Sequence, residues 1–207
     1  EAAAAVTAGE QGIAGPQVDV LFVFASHHTV AAFEAIAPVL TERFPNARIL
    51  GSLAESTIGH DREVEGLPAL SLLAGRMPEG RVTPVRLRLD DLGADLARLP
   101  DVALVEAEEE AEAVPVDWQA VLGGAEAHTL LMIADPFTFP ASEFLTILDR
   151  ERPGFPVIGG LASAANEPGQ NRLLLDGNVF ADGLVGLAFA GNVRLDTVVS
   201  QGCRPLG

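Results

Sequence analysis

Two apolar runs set the frame of this chain. Val20 to Ala25, between Asp19 and Ser26, is apolar at every position, as is Leu130 to Ala134, between Thr129 and Asp135. Runs of this length, bounded by polar residues, predict strands buried on both faces. Each is followed by apolar residues at spacings of three and four: Phe33, Ile36, Ala37, Leu40 and Phe44 in the first case, Phe144, Ile147 and Leu148 in the second. One apolar face at that spacing predicts a helix, stopped by Pro45 and by Pro153. Next, residues 48–52 and 156–160 read as second strands that enter small-residue turns, Gly51-Ser52 and Gly159-Gly160.

The resemblance between the halves extends further. A slide of about 108 positions puts Leu40 on Leu148, Pro45 on Pro153 and Gly51 on Gly159, and the Gly-x-Leu-Ala string recurs. After small gaps, residues 66–75 resemble residues 183–191. Each is followed by a turn and an alternating segment, 81–87 and 193–199. Gly191-Asn192 suits a hairpin turn, and Asp176-Gly177 suits one better, because both pairs accept positive φ. The chain therefore reads as two copies of a strand–helix–strand–hairpin unit. The expected fold is mixed α/β, with pseudo-two-fold mixed sheets flanked by helices. Residues 1–17 read as a lead-in, 18–100 as copy one, 101–125 as an acidic connection with a short helix near residues 116–122, and 126–207 as copy two.

Composition narrows the classes of function. The net charge is −16, from 29 acidic and 13 basic residues, and every basic residue is Arg. That sign opposes phosphate backbones and anionic membrane surfaces, so neither nucleic acid nor membrane insertion is expected. The glutamates at 106, 108, 109, 110 and 112 read as a solvated face. A single cysteine, Cys203, excludes an intrachain disulfide and a cysteine zinc site. No apolar run reaches the roughly 18–20 residues of a membrane span, and no signal peptide is legible, so the expected location is cytoplasmic. The missing initiator Met suggests a fragment.

No nucleophile elbow, P-loop, dinucleotide fingerprint or zincin motif is present. Neither an enzyme, a cofactor nor a metal is the leading expectation. Neighbouring His27 and His28 point opposite ways on an extended segment, which disfavours chelation of one metal. Ser26 and His27 nevertheless follow a buried strand, where α/β folds place ligand crevices. Gly159 and Gly160 would let a ligand approach the backbone, and would equally suit packing between the copies. Ser52 and Glu55 in copy one, and Ser163 and Asn166 in copy two, are polar groups beside those turns. Gln201 and Arg204 lie in the distinctive Ser-Gln-Gly-Cys-Arg-Pro-Leu-Gly ending, where Arg204 could pair with a carboxylate. A lone Cys beside apolar residues is most often a small buried side chain.

The strings Ala-Asp-Pro-Phe-Thr-Phe and Gln-Gly-Cys-Arg-Pro-Leu-Gly are the most specific in the chain. With residues 20–26, 49–56, 63–74, 157–163 and 182–190, they resemble the FIST N-terminal domain family. The resemblance implies a sensory domain of signal-transduction proteins that binds a small molecule, an amino acid being the usual suggestion. It also implies a C-terminal FIST domain as partner, and it brings no catalytic residues. An amino acid would need a cation or an N–H nest for its carboxylate, from Arg204 or the Gly159-Gly160 turn, and an acid for its amine, from Glu55 or Asp182. Two alternatives stand beside this reading. One is a hydrolase or transferase using Cys203 or Ser163. The other is a structural domain that docks a C-terminal partner.

Overall fold

The computed structural model describes residues 17–27, 30–59, 62–92, 116–122 and 126–198. Strand β1 (Val20–Ser26) leads into helix α1 (Val30–Arg43) and strand β2 (Arg48–Ala54). Short strands β3 (Thr57–Gly59) and β4 (Arg62–Val64) follow, then β5 (Leu70–Gly75) and β6 (Gly80–Leu87). A one-turn helix, α2 (Trp118–Val121), precedes β7 (Thr129–Ala134), α3 (Ala141–Glu151) and β8 (Val157–Leu161). The described chain closes with β9 (Leu173–Leu175), β10 (Asn178–Phe180) and β11 (Leu184–Gly191).

Two main sheets result, ordered β10-β9-β2-β1-β5 and β6-β11-β7-β8, while β3 and β4 pair by themselves. In both sheets a strand–helix–strand passage ends in parallel pairing, β1 with β2 and β7 with β8. In both, a later strand pairs antiparallel with the first: β5 with β1, and β11 with β7.

Strand alternation divides the core into three layers. On β1, Leu21, Val23 and Ala25 pack with Phe33, Ile36 and Leu40 of α1. On β7, Leu130, Met132 and Ala134 pack with Phe144, Ile147 and Leu148 of α3. The opposite faces meet each other: Val20 and Leu50 share a cluster with Ile133, Val185, Leu187 and Phe189. The order of layers is therefore helix, sheet, sheet, helix. Burying each such Leu or Phe contributes roughly 1.5–3 kcal/mol relative to exposure, which is why the strands had to be apolar on both faces.

The hairpin part of the expected unit is not formed as read. β5 and β6 are consecutive but lie in different sheets, and β6 pairs along its length with β11. Residues 193–198 form no strand. The reason is that β11 already has β6 on one edge and β7 on the other, so a strand turning back from it finds no free edge. Val193 and Leu195 instead pack against the inter-sheet core. The Asp176-Gly177 turn is formed, with φ of 46° and 82°, and joins β9 to β10. That hairpin crosses to the first sheet, where β9 pairs with β2. Asp176 fixes it there, accepting from the Ile49 amide at 2.8 Å and pairing with Arg48.

The small-residue pairs are also placed differently from expectation. Gly51-Ser52 and Gly159-Gly160 lie inside β2 and β8, not in turns. The cause is close strand approach. A Cβ on Gly51 would sit 2.0 Å from the Val23 carbonyl oxygen, and one on Gly159 1.8 Å from that of Met132.

Candidate functional site

Along part of their contact the two sheets do not close on each other. A cleft of about 470 Å³ lies between them. Phe22 and Phe24 of β1, Ser52 and Ala54 of β2, and Leu73 of β5 form one wall. Leu131 and Ile133 of β7, with Ile158, Gly160 and Leu161 of β8, form the other. Met132 of β7, Gly159 within β8 and Ser163 beyond its end complete the lining.

The cleft exists because of what the strands lack at this point. Two packed sheets stand about 10 Å apart and fill that space with side chains. In the second wall β8 carries Gly160, and a Cβ built on Gly160 meets nothing within 4 Å. Ser52 and Ala54 are equally short. Leu73 and Leu161 are 66% and 54% exposed, so apolar surface continues to the mouth.

Of the residues named from sequence, the structure brings Ser52, Gly159, Gly160 and Ser163 to this cleft. Glu55 joins them at the edge, its backbone N–H donating to Ser163 Oγ at 3.3 Å. Ser26 is fully buried at the end of β1 and does not line the cleft; its hydroxyl accepts from the Ala69 amide at 2.9 Å. His27 and Asn166 are exposed and are not part of the lining. Asp182 is committed elsewhere. It pairs with Arg86 and, at 3.2 Å, with Arg88. Burial lowers the Arg86 guanidinium from its ordinary value, and Asp182 opposes that shift. The Gly159-Gly160 segment is extended and lies in the β7–β8 parallel ladder, with β8 at the edge of its sheet. Gln201, Cys203 and Arg204 lie outside the described residues, as do His28, His60 and the glutamate cluster.

His128 stands at the start of β7 and Ser163 beyond the end of the parallel strand β8. A strand length of about 20 Å separates those ends, so His128 does not serve as a base for Ser163. Its ring instead contacts Thr129 Oγ1 at 3.1 Å and the Gly191 carbonyl at 3.2 Å. Among the described residues no group of three His, Cys, Asp or Glu is arranged to hold a metal. Among them, too, no helix is long and apolar enough to cross a membrane.

The residues missed at the sequence level are the apolar walls. The alternation of Phe22 with Phe24, and of Leu131 with Ile133, placed each pair on one strand face, but nothing in the pattern separates a face lining a cleft from a face filling a core. A buried polar knot beside the cleft was also missed. Asp135, fully buried after β7, accepts from Asn171 Nδ2 at 2.8 Å, Thr138 Oγ1 at 2.6 Å and the Phe137 amide at 3.2 Å. Thr138 in turn accepts from the Gly183 amide at 2.9 Å. The knot ties the loop after β7 to the approaches of β9 and β11, and it lies in the Ala-Asp-Pro-Phe-Thr-Phe string.

Fold and cleft together define a class: a four-layer α/β sandwich with an open apolar cleft between its sheets. The FIST N domain model matches residues 19–207, and the chain belongs to that family. The family is generally regarded as a sensory domain of signalling proteins. The chain is 28% identical over 207 residues to an uncharacterized protein of Mycobacterium tuberculosis, covering all of this chain and 48% of that protein. It is also 28% identical over 180 residues to an uncharacterized protein of Mycobacterium bovis, covering 87% of this chain and 41% of that one. The chain thus spans about half the length of the curated relatives it matches.

Proposed function

We propose that residues 18–207 form a small-molecule-binding sensory domain, built from two copies of one unit, whose ligand sits in the cleft between the two sheets. One observation carries this reading. Ser52 and Ser163, from distant parts of the sequence, meet at a single cleft of about 470 Å³, within the range of roughly 300–1,000 Å³ typical of small-molecule sites. Amino acids are the ligand class the family suggests, with Glu55 at the mouth as the acid for an amine. The carboxylate partner would be Arg204, outside the described residues. A cytoplasmic location fits an intracellular signalling role.

The experiment is a thermal-shift screen of amino acids and other metabolites, repeated with Gly160→Leu, which fills the cleft. A ligand at about 100 times its Kd should add roughly 2.7 kcal/mol of stability. Stabilisation lost in the filled variant supports the cleft. Stabilisation that survives filling, or none from any compound, counts against it.

A second reading is favoured by the exposed Leu73 and Leu161 at the cleft mouth. In it, a C-terminal FIST domain docks there and covers the ligand.

A further inference from the structure

Resting on the cleft as the ligand site but not on an amino acid as its ligand, we infer that the ligand is an uncharged molecule with a flat apolar body, held by a hydrogen bond to the Ser52 hydroxyl. Ser52 is only 3% exposed and lines the cleft. Ser26, Thr129 and Asp135, also buried, find partners within the protein, with Ala69, His128 and Asn171; Thr57 and the Asn171 Oδ1 have none among the described residues, but neither residue lines the cleft. The Ser52 side chain makes no hydrogen bond among the described residues, and its oxygen is not sealed from the cleft. A hydroxyl that the protein leaves unpaired at the wall of a cleft can both donate to and accept from a ligand group.

The rest of the lining fixes the chemical class. No Asp, Glu, Arg or His stands among the described lining residues. A carboxylate or ammonium placed there would lose water without gaining a counter-charge, so the cleft disfavours both. The net charge of −16 further opposes an anion. The lining suits a flat body: the Phe22 and Phe24 rings share the cleft with Leu131, Ile133 and the open space at Gly160, and aromatic rings pack well on other planar groups. The ligand is therefore a ring or planar apolar skeleton with one hydroxyl, carbonyl or amide group.

The test uses the protein at its full natural length and four probes: indole and benzamide as neutral rings, benzoate and phenylalanine as charged ones. Affinities are measured by calorimetry, with circular dichroism to check folding. The neutral probes should bind at least about tenfold more tightly than the charged ones. Ser52→Ala should weaken them by about tenfold, the size of one hydrogen bond. Gly160→Leu should abolish binding, and Gly160→Val serves if the leucine variant misfolds. Charged probes that bind as tightly as neutral ones, and lose binding on filling, overturn the inference but leave the cleft as the site. Binding by neutral probes that Ser52→Ala leaves unchanged overturns the anchor. No binding by any probe overturns the inference, and if amino acids also fail to bind, the cleft reading falls with it.

Discussion

The backbone N–H of Glu55 donates to the hydroxyl of Ser163 at 3.3 Å, across 108 residues of sequence. That separation is the same slide that superimposes Gly51 on Gly159. The segments leaving β2 and β8 therefore meet at the residues the two halves hold in common position. This meeting point is also the mouth of the cleft. Both residues are exposed, so the bond does little for global stability. Ser163→Ala should change unfolding free energy by less than about 0.5 kcal/mol. Hydrogen exchange at the Glu55 amide should nevertheless accelerate. Unchanged exchange would show that the bond does not join the two segments in solution, and a large loss in urea unfolding would show that Ser163 contributes more to stability than an exposed bond does.

The glycines of β2 and β8 make a sharper prediction. Gly159 has φ of 146°, and a side chain there would strike the Met132 carbonyl; on Gly51 it would strike that of Val23. Gly51→Ala and Gly159→Ala should each cost about 3 kcal/mol, the upper range for overpacking. Gly160→Ala, one residue on, should stay within about 0.5 kcal/mol because the added methyl enters open space. Urea midpoints of the three variants check this. Equal losses at 159 and 160 would contradict the close approach of β7 and β8.

The contrast between those neighbours shows what the sequence carries and what it does not. Apart from β3, β4 and the strand expected over residues 193–199, the strands, the helices and the Asp176-Gly177 turn were legible because apolar spacing and turn chemistry are local. Partnering is not local. Nothing in residues 80–87 says that they pair with residues 184–191, or that β9 crosses to β2. The polar half of the cleft, Ser52 and Ser163, was legible because small polar residues stood out beside glycines. Its apolar half was not, because Phe22 and Leu131 read the same whether they fill a core or line a slot.

The buried knot at Asp135 offers a prediction that burial alone would not make. Removing the carboxylate strands Asn171 Nδ2, Thr138 Oγ1 and the Phe137 amide, all of which donate to it. Asp135→Ala should therefore destabilise by about 3–5 kcal/mol, well above a typical surface change. Asp135→Asn keeps the size but turns one acceptor into a donor facing other donors, so it should recover only part of the loss. Full recovery in urea unfolding would mean that the charge and its acceptors do not hold the loop.

Glu151 gives stability a pH signature. Burial pushes its carboxyl upward, but hydrogen bonds from Arg150, Trp118 and Val116 outweigh that and leave it below the ordinary value of 4.5. The Trp118 indole N–H donates at 2.8 Å and the Val116 amide at 3.3 Å. A group whose folded pKa is depressed adds stability that is complete above its unfolded value and fades as pH falls through the folded one. Glu151→Gln should therefore be less stable than the parent at about pH 7, with the gap closing as pH drops below the ordinary carboxylate range. Trp118 is the only tryptophan in the chain, so its fluorescence reports unfolding at each pH without labels. A stability gap that stays constant from neutral to acid pH would place the stabilisation in packing against Trp118 and not in the charge of Glu151.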